Sequence, residues 1–213
     1  MPNDRCKRMR FNTPLLVGLE KLCQQFVGPE LEMAEIGSYA GESTLIFAKH
    51  ARIVHSIDLW SGYPDCASSE EVFDFVTLDV RNIHKIKRSS VEAGRDFPDG
   101  SLDMVYIDAD HHYGSVKSDL LTWLPKIRKG GVLAGHDWYV DWFLYWKDPR
   151  PENFPKKVDK RFRSSPVLDD YAGKCELNNG CSGLPWPGVA RAVLEVIGEP
   201  HHIFEDSSYV FTI

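Results

Sequence analysis

Residues 103–138 have the sequence DMVYIDADHHYGSVKSDLLTWLPKIRKGGVLAGHDW. An apolar run predicts a strand over 102–107, helical spacing predicts a helix over 113–123, and apolar residues after a Gly-Gly pair predict a second strand over 132–134. Strand, helix and strand in this order are typical of a βαβ unit, in which the strands are parallel and the crossover is almost always right-handed. The carboxyl ends of the two strands are therefore expected to lie side by side.

The same alternation of strand and helix extends toward the N-terminus. Apolar runs over 31–36 and 53–57 each end at a Gly turn or an acidic residue and precede a helical stretch, and residues 86–88 predict a further strand. Leucines at helical spacing predict an amphipathic helix from Thr13, its N-cap, to about Gln25. Five strands linked by helices predict an α/β fold with a mostly parallel sheet.

The C-terminal residues predict a different ending for the sheet. Residues 189–197 have helical spacing, and two strand-like runs over 202–205 and 209–213 flank a turn at Asp206 and Ser207. Two short strands around such a turn are typical of a hairpin. We therefore expect the sheet to finish with an antiparallel strand.

Residues 138–187 differ in character from the rest of the chain. They are rich in Trp, Pro and charged residues and follow neither the period of a strand nor that of a helix. Loops of this length in a compact domain usually enclose a ligand, so we interpret the segment as a lid inserted into a single domain that spans residues 1–213. Trp138, Trp142 and Trp146 recur every four residues, and they either form the packing face of a short helix or contact substrate.

Composition limits the partners of this chain of 213 residues. A net charge of -6 gives no general attraction to nucleic acid, and we interpret the basic cluster at residues 5–10 as a solvated tail. No apolar run approaches the roughly 20 residues of a membrane span and no signal peptide is apparent, so we expect a cytoplasmic protein without a membrane partner. The five cysteines indicate neither a disulfide framework nor a zinc site, although a bond between Cys175 and Cys181 stays open.

A glycine-containing loop follows the first predicted strand, in the sequence EIGSYAGEST over 35–44. The spacing of Gly37 and Gly41 matches neither the dinucleotide-binding loop nor the P-loop, which disfavours ligands with two or three linked phosphates. Asp58 ends the next strand about 20 residues after Glu35, the separation at which a carboxylate accepts ribose hydroxyls. A nucleoside without phosphates fits both observations; the alternative is an ordinary tight turn with Asp58 as a helix cap.

Residues 35–41, EIGSYAG, resemble motif I (E/D-x-G-x-x-x-G) of class I S-adenosylmethionine-dependent methyltransferases. The resemblance implies a Rossmann-like, doubly wound, mostly parallel seven-stranded sheet with an antiparallel C-terminal hairpin strand. It also implies that S-adenosylmethionine is the cofactor, with Asp58 on the ribose diol, Glu35 near the methionine amino group, and Trp60 or the Ser89–Ser90 segment beside the adenine. The full set of cofactor contacts implied is Glu35, Gly37, Ser38, Gly41, Ser43, Asp58, Trp60, Ser90 and Asp108.

A second group of polar residues follows strands four and five. Asp108, His136 and Asp137 are expected to converge beyond the carboxyl ends of these strands, where they could hold a divalent cation. The quoted stretch 103–138 resembles small-molecule O-methyltransferases related to the catechol, caffeoyl-CoA and macrolide-sugar enzymes. Many of those bind Mg²⁺ through an Asp after strand four and an Asp-Asn or Asp-Asp pair after strand five. A His in the pair suits Mn²⁺, iron or zinc better than Mg²⁺.

The same residues permit a reaction without a metal. Asp108 could contact the methionine end of the cofactor while His111 or His136 takes the acceptor proton, because an imidazole titrates near neutral pH. Asp108, His111 and His136 are thus the candidate catalytic residues. The alternative is that Asp108, His136 and Asp137 only cap strand ends and form turns, and Asp110 or His112 could simply cap the following helix.

The sequence predicts an S-adenosylmethionine-dependent methyltransferase that acts on the hydroxyl of a small molecule, with or without a divalent cation such as Mg²⁺ or Mn²⁺. The alternative is a protein of the same fold that binds S-adenosylmethionine without turnover. An oxidoreductase is disfavoured because no G-x-G-x-x-G follows the first strand, and a nucleic-acid methyltransferase because the chain is acidic and lacks an Asn-Pro-Pro-Tyr motif. The resemblance to these methyltransferases suggests a homodimer.

Overall fold

Helices alternate with strands along the chain in the computed structural model, which describes residues 15–61, 69–138 and 187–213. The helices are α1 (Leu15–Phe26), α2 (Glu42–His50), α3 (Ser69–Thr77), α4 (Ser90–Gly94), α5 (Tyr113–Trp123) and α6 (Pro187–Val196), with a 3₁₀ turn at Leu124–Lys126. The strands are β1 (Glu32–Ile36), β2 (Ile53–Asp58), β3 (Ile83–Lys87), β4 (Leu102–Ile107), β5 (Ile127–Gly135), β6 (His202–Ile203) and β7 (Tyr209–Thr212).

The seven strands form one sheet in the order β3-β2-β1-β4-β5-β7-β6. The first five strands are parallel, whereas β7 is antiparallel to both β5 and β6. This arrangement confirms the predicted Rossmann-like, mostly parallel seven-stranded sheet with its antiparallel C-terminal hairpin.

The register of the central strands brings their carboxyl ends to one edge. Ile36 pairs with both Ile57 and Ile107, and Ile107 pairs with Gly135. The strand order reverses between β1 and β4, and ligands of open α/β sheets bind in the crevice outside such a reversal. The segments that follow β1, β2, β4 and β5 therefore meet at this carboxyl edge.

Apolar side chains cover both faces of the sheet because successive strand residues point to opposite sides. Met104 belongs to a cluster with Leu22 of α1 and Phe47 of α2, and its neighbour Val105 belongs to a cluster with Leu120 of α5. Other members of the second cluster are Trp123, Val189, Val193, Tyr209 and Phe211. Helices on both faces hold the sheet rigid, and the carboxyl edge is where its loops can build a site.

Three strands differ from their predicted bounds by two residues or more. The third, predicted at 86–88, covers Ile83–Lys87, because the exposed polar residues His84 and Lys85 of this edge strand obscure its start. The fifth begins at Ile127 rather than 132, since Gly130, at φ 76°, is accommodated within the strand. The sixth ends at Ile203 because Phe204 already belongs to the turn, where its N–H donates to Ser208 O.

Some predictions fall outside the described residues. These are the Thr13 cap, the basic cluster at 5–10, the insertion apart from its two ends, Trp142, Trp146, and four cysteines: Cys6, Cys66, Cys175 and Cys181. Cys23 is described and is a buried free thiol in α1. No helix in the described ranges is long and apolar enough to cross a membrane.

Candidate functional site

The loop between β1 and α2 is a compact turn with three residues in the left-handed region. Gly37, Tyr39 and Gly41 have φ values of 95°, 44° and 89°. The Gly37 N–H donates to Ile57 O at 2.8 Å, and the Gly41 N–H donates to Ser38 O at 2.8 Å. Gly41 is the N-cap of α2 and supplies no side-chain cap, and it places the first turn of this helix at the carboxyl edge of the sheet.

Gly37 is required by a close approach between two parts of the chain. A Cβ at this position would lie 2.1 Å from Asp108 O and 2.7 Å from Ala109 Cα. At Gly41 a Cβ would instead meet Val76 and Phe73 of α3. The two glycines thus allow the loop to pack against protein as well as to adopt positive φ, and their approach to a ligand stays a prediction.

Replacing Gly37 with Ala is expected to destabilise the protein by about 3 kcal/mol, because a left-handed Ala is strained and its Cβ overlaps the Asp108 carbonyl. The measurement is urea unfolding of both proteins. Gly28→Ala is the control, since a Cβ there meets nothing within 4 Å, and its midpoint should stay near that of the parent. Equal effects of the two substitutions would contradict this account of the loop.

Glu35 lies beneath the loop and is fully buried. Its carboxylate accepts hydrogen bonds from Ser38 Oγ at 2.9 Å and from the hydroxyls of Ser43 and Thr44. Burial raises the pKa of Glu35 to about 7 despite these three donors. The side chain therefore ties the two ends of the loop together from below, and its contact with a methionine amino group, often through water, stays a prediction.

Ionisation of Glu35 should make stability depend on pH. Its pKa is raised in the folded state, so its contribution to folding is fully present below its ordinary pKa of 4.5 and is lost as the pH rises toward about 7. We expect the parent to lose on the order of 3 kcal/mol relative to Glu35→Gln between pH 4.5 and pH 8. Denaturant unfolding at both pH values measures the difference, and parallel pH profiles would contradict the assignment.

Asp58, at the end of β2, is bonded to the loop and to the residues that follow it. Its carboxylate accepts the Tyr39 N–H at 2.8 Å and the Trp60 N–H at 2.7 Å. Burial raises the pKa of Asp58. Neither N–H belongs to a helix, so these two bonds hold loop residues and are not the predicted helix cap. A carboxylate with about four acceptor positions retains capacity for the hydroxyls of a diol.

Trp60 also connects the segment after β2 to the loop between β1 and α2. Its Nε1–H donates to Tyr39 O at 2.7 Å, so both main-chain polar groups of Tyr39 are held by the segment after β2. The indole ring packs 4.8 Å from the Phe73 ring, and Lys85 Nζ lies 4.8 Å from its centroid. Trp60 thus shapes the loop between β1 and α2, and its predicted contact with adenine stays a prediction.

Ser90, the other residue predicted near adenine, opens α4. Its Oγ accepts the Trp123 Nε1–H at 2.9 Å and is hydrogen-bonded to Asp119. Burial raises the pKa of Asp119 to about 6. These contacts hold the start of α4 against α5, and the Ser90 hydroxyl takes part in both of them.

A second cluster, which we call the acidic cluster, forms from Asp108, His111 and Asp137 where β4 and β5 end. His111 Nε2 lies 3.2 Å from Asp108 Oδ1 and 2.6 Å from Asp137 Oδ2. One potential metal-ligating atom from each of these three residues falls within 4.8 Å of the others. Asp137, at φ 61°, also lies 3.2 Å from His136 Nδ1 through its other oxygen. Its carboxylate is therefore shared by two imidazoles.

The cluster keeps its histidines protonated. Burial opposes their charge, but the carboxylates of Asp108 and Asp137 outweigh it and raise the pKa of His111 to about 10 and that of His136 to about 9. Although burial disfavours its charge, the two imidazoles hold the pKa of Asp137 well below its usual range. In this state neither imidazole can accept a proton at neutral pH, which weakens the case for a free histidine base.

The structure brings together Asp108 and Asp137 as predicted but adds His111 to them in place of His136. The sequence drew attention to His111 only as a base, because its approach to Asp137 depends on the loop before α5. Asp110 and His112 belong to that loop: Asp110 accepts from the His112 N–H and from Ser115 Oγ at 2.7 Å. Both lie at the start of α5, but His112, the N-cap of this helix, makes no side-chain capping hydrogen bond.

Residues 34–138, just under half of the chain, match the protein family described as "Methyltransferase domain". An uncharacterized protein of Sinorhizobium fredii is 28% identical over 177 residues, which cover 73% of this chain and 20% of that protein. An uncharacterized protein of Acanthamoeba polyphaga mimivirus is 27% identical over 130 residues, 56% of this chain and 57% of its own. The chain thus spans a fifth of the first relative and somewhat over half of the second.

A solved structure from Corynebacterium glutamicum shares the fold. It superposes with a TM-score of 0.52 at 13% identity and covers 91% of this chain and 77% of that chain. The family match begins within β1 and ends at Trp138, directly after Asp137. Residues 34–138, which build both the loop and the acidic cluster, are therefore identified as similar to the methyltransferase-domain family.

Proposed function

We propose that the protein is an S-adenosylmethionine-dependent methyltransferase that methylates a hydroxyl of a small molecule. The observation that carries the proposal is the set of carboxylates at the ends of three adjacent strands, Glu35, Asp58 and Asp108, around a left-handed loop within the family-matched segment. Carboxylates suit a ligand that carries an ammonium group, a sulfonium and a ribose diol. They would repel a pyrophosphate placed at the same edge.

Cofactor binding is assigned to both sides of the loop. Asp58 would accept the ribose diol, the first N–H groups of α2 would face the amino-acid end, and Asp108 would lie near the sulfonium. The cofactor, when bound, supplies an electrophilic methyl carbon. The contribution of this chain is to hold an acceptor oxygen in line with that carbon and to exclude water, which lowers the barrier by proximity and orientation.

Deprotonation of the acceptor is assigned to the acidic cluster. Asp108, His111 and Asp137 offer two carboxylate oxygens and one imidazole nitrogen, a ligand set that fits Mn²⁺ or another divalent cation when the His111 proton is lost. A cation held there would lower the pKa of an adjacent hydroxyl. Without it, His111 or His136 must first release its proton before it can act as a base.

Calorimetric titration tests the proposal. The protein is treated with EDTA and titrated with S-adenosylhomocysteine and S-adenosylmethionine, first alone and then with Mn²⁺ or Mg²⁺. Micromolar affinity is expected for both nucleosides, and formation of S-adenosylhomocysteine in an acceptor screen separates an enzyme from a protein that binds without turnover. Absence of binding under every condition would overturn the proposal.

A further inference from the structure

Three buried polar atoms near the acidic cluster lack a hydrogen-bond partner among the described residues. They are Trp138 Nε1, Ser207 Oγ and Tyr209 Oη. Tyr209 is 0% exposed and Trp138 is 6% exposed. Buried N–H and O–H groups are normally paired, because an unpaired one forfeits its bonds to water without replacement.

Trp138 contacts both of the other residues. Its main-chain N–H donates to Ser207 O at 3.0 Å, and its ring centroid is 6.0 Å from that of Tyr209. Ser207 and Tyr209 flank Ser208 in the turn and strand that follow β6. We call Trp138, Ser207 and Tyr209 the hairpin triad.

The hairpin triad borders the acidic cluster. Trp138 directly follows Asp137, and Tyr209 pairs with Gly135 at the carboxyl end of β5. A Cβ at Gly135 would lie 2.4 Å from the Tyr209 hydroxyl, so this hydroxyl rests directly over the strand that leads to Asp137. The unpaired groups are thus at the end of the sheet where an acceptor would have to lie.

A neighbouring tyrosine shows that the same hairpin can satisfy a buried phenol. Tyr106 is 2% exposed, yet its hydroxyl lies 3.1 Å from Ser208 Oγ, which in turn donates to Asp206. Tyr106 belongs to the apolar cluster on the α1 face, whereas Tyr209 belongs to the one on the α5 face. A buried tyrosine beside this hairpin can therefore find a partner, and Tyr209 finds none within the described part of the chain.

We propose that the hairpin triad is a binding subsite for an uncharged oxygen of the methyl acceptor, such as a hydroxyl, ether or carbonyl oxygen, held beside the acidic cluster. This inference rests on the proposed methyl transfer and names the substrate class. Trp138 Nε1 can only donate, whereas the two hydroxyls can donate or accept, so the subsite is matched to oxygen atoms.

The charges around the subsite favour a neutral ligand over an anion. Burial, followed by the negative charges of Asp108, Asp119 and Asp137, raises the pKa of Tyr209 well above its ordinary range, so the phenol stays neutral and donates. The carboxylates of Asp108 and Asp137 already contact the imidazoles of His111 and His136, so the cluster leaves no unpaired positive charge for a buried anion. A carboxylate or phosphate placed there would lose its hydration without replacement, whereas hydrogen bonds can satisfy a neutral oxygen.

The first test uses two isosteric probes, acetamide and acetate, with the full chain saturated by S-adenosylhomocysteine. Indole ¹⁵N–¹H resonances report on Trp138, which is assigned with Trp138→Phe. Acetamide is expected to shift this resonance saturably, and acetate to shift it much less. An unmoved resonance with acetamide, or an equal response to acetate, overturns the proposal, while binding of S-adenosylhomocysteine reports separately on the methyltransferase function.

The second test compares Tyr209→Phe with Tyr106→Phe. Loss of a paired hydroxyl should lower the Tm of Tyr106→Phe by about 3 °C, whereas loss of an unpaired one should leave the Tm of Tyr209→Phe unchanged or higher. Tyr209→Phe should also weaken the acetamide response about fivefold without changing affinity for S-adenosylhomocysteine. A fall in Tm for Tyr209→Phe equal to that for Tyr106→Phe would show that its hydroxyl is internally paired and would overturn the proposal.

Discussion

Asp58→Ala should weaken binding of S-adenosylhomocysteine by at least about 100-fold, the effect of losing two hydrogen bonds to a charged group. The substitution removes the carboxylate assigned to the ribose diol and also releases the Tyr39 N–H that Asp58 holds at 2.8 Å. Both losses should weaken binding of the ligand, the first by removing a direct contact and the second by changing the shape of the loop. Calorimetric titration of the purified variant measures the change.

Asp103→Ala is the matched control. Asp103 likewise accepts a main-chain N–H from a neighbouring strand, that of Glu32 at 2.7 Å, but it lies at the amino edge of the sheet. Its loss should lower stability without altering affinity for S-adenosylhomocysteine. If Asp58→Ala binds as tightly as Asp103→Ala, Asp58 is only a cap and the ribose assignment fails.

Asp137→Asn should lower the affinity for Mn²⁺ by more than about 100-fold, because it removes one of two charged ligands and keeps the shape of the side chain. Asp137 lies between His111 and His136, and its single negative charge interacts with both imidazoles. Affinity for S-adenosylhomocysteine should change little, since Asp137 lies beyond β5, away from Asp58. Mn²⁺ titration followed by electron paramagnetic resonance measures the first quantity.

Asp110→Asn provides the comparison for this second prediction. Asp110 is in the same loop as His111, but its oxygens are occupied by His112 and Ser115. This variant should bind Mn²⁺ as the parent does. Equal losses in the two variants would indicate a diffuse electrostatic effect rather than a ligand set.

Local sequence patterns were sufficient to predict most of the sheet. Strands β1, β2 and β4 were located to within a residue, because each contains several apolar residues and is mostly buried on both faces. The start of β3 was missed because the exposed polar residues His84 and Lys85 interrupt its apolar pattern at the sheet edge. The start of β5 was missed because a Gly-Gly pair, normally a turn signal, lies within the strand.

The site was predictable as a set of residues but not as a set of contacts. The positions of Asp58, Asp108 and Asp137 after their strands follow from the βαβ pattern alone. Two contacts depend on how the loops fold back onto the carboxyl edge: the burial of Glu35 under three hydroxyls and the approach of His111 to Asp137. The periodicity of the local sequence does not predict such loop conformations. The unpaired polar groups of the hairpin triad could not be predicted either, because their positions depend on the pairing of β5 with β7.

The hydrogen bond from Trp138 to Ser207 joins residues about 70 positions apart in the chain. Contacts of such long sequence separation form late, because a long loop must close before they contribute any free energy. During synthesis, β5 is therefore an unpaired edge strand until the final hairpin has left the ribosome. An unpaired edge strand can form β-sheet hydrogen bonds with other chains. We expect nascent chains that stop before residue 204 to aggregate rather than to display a partly active site.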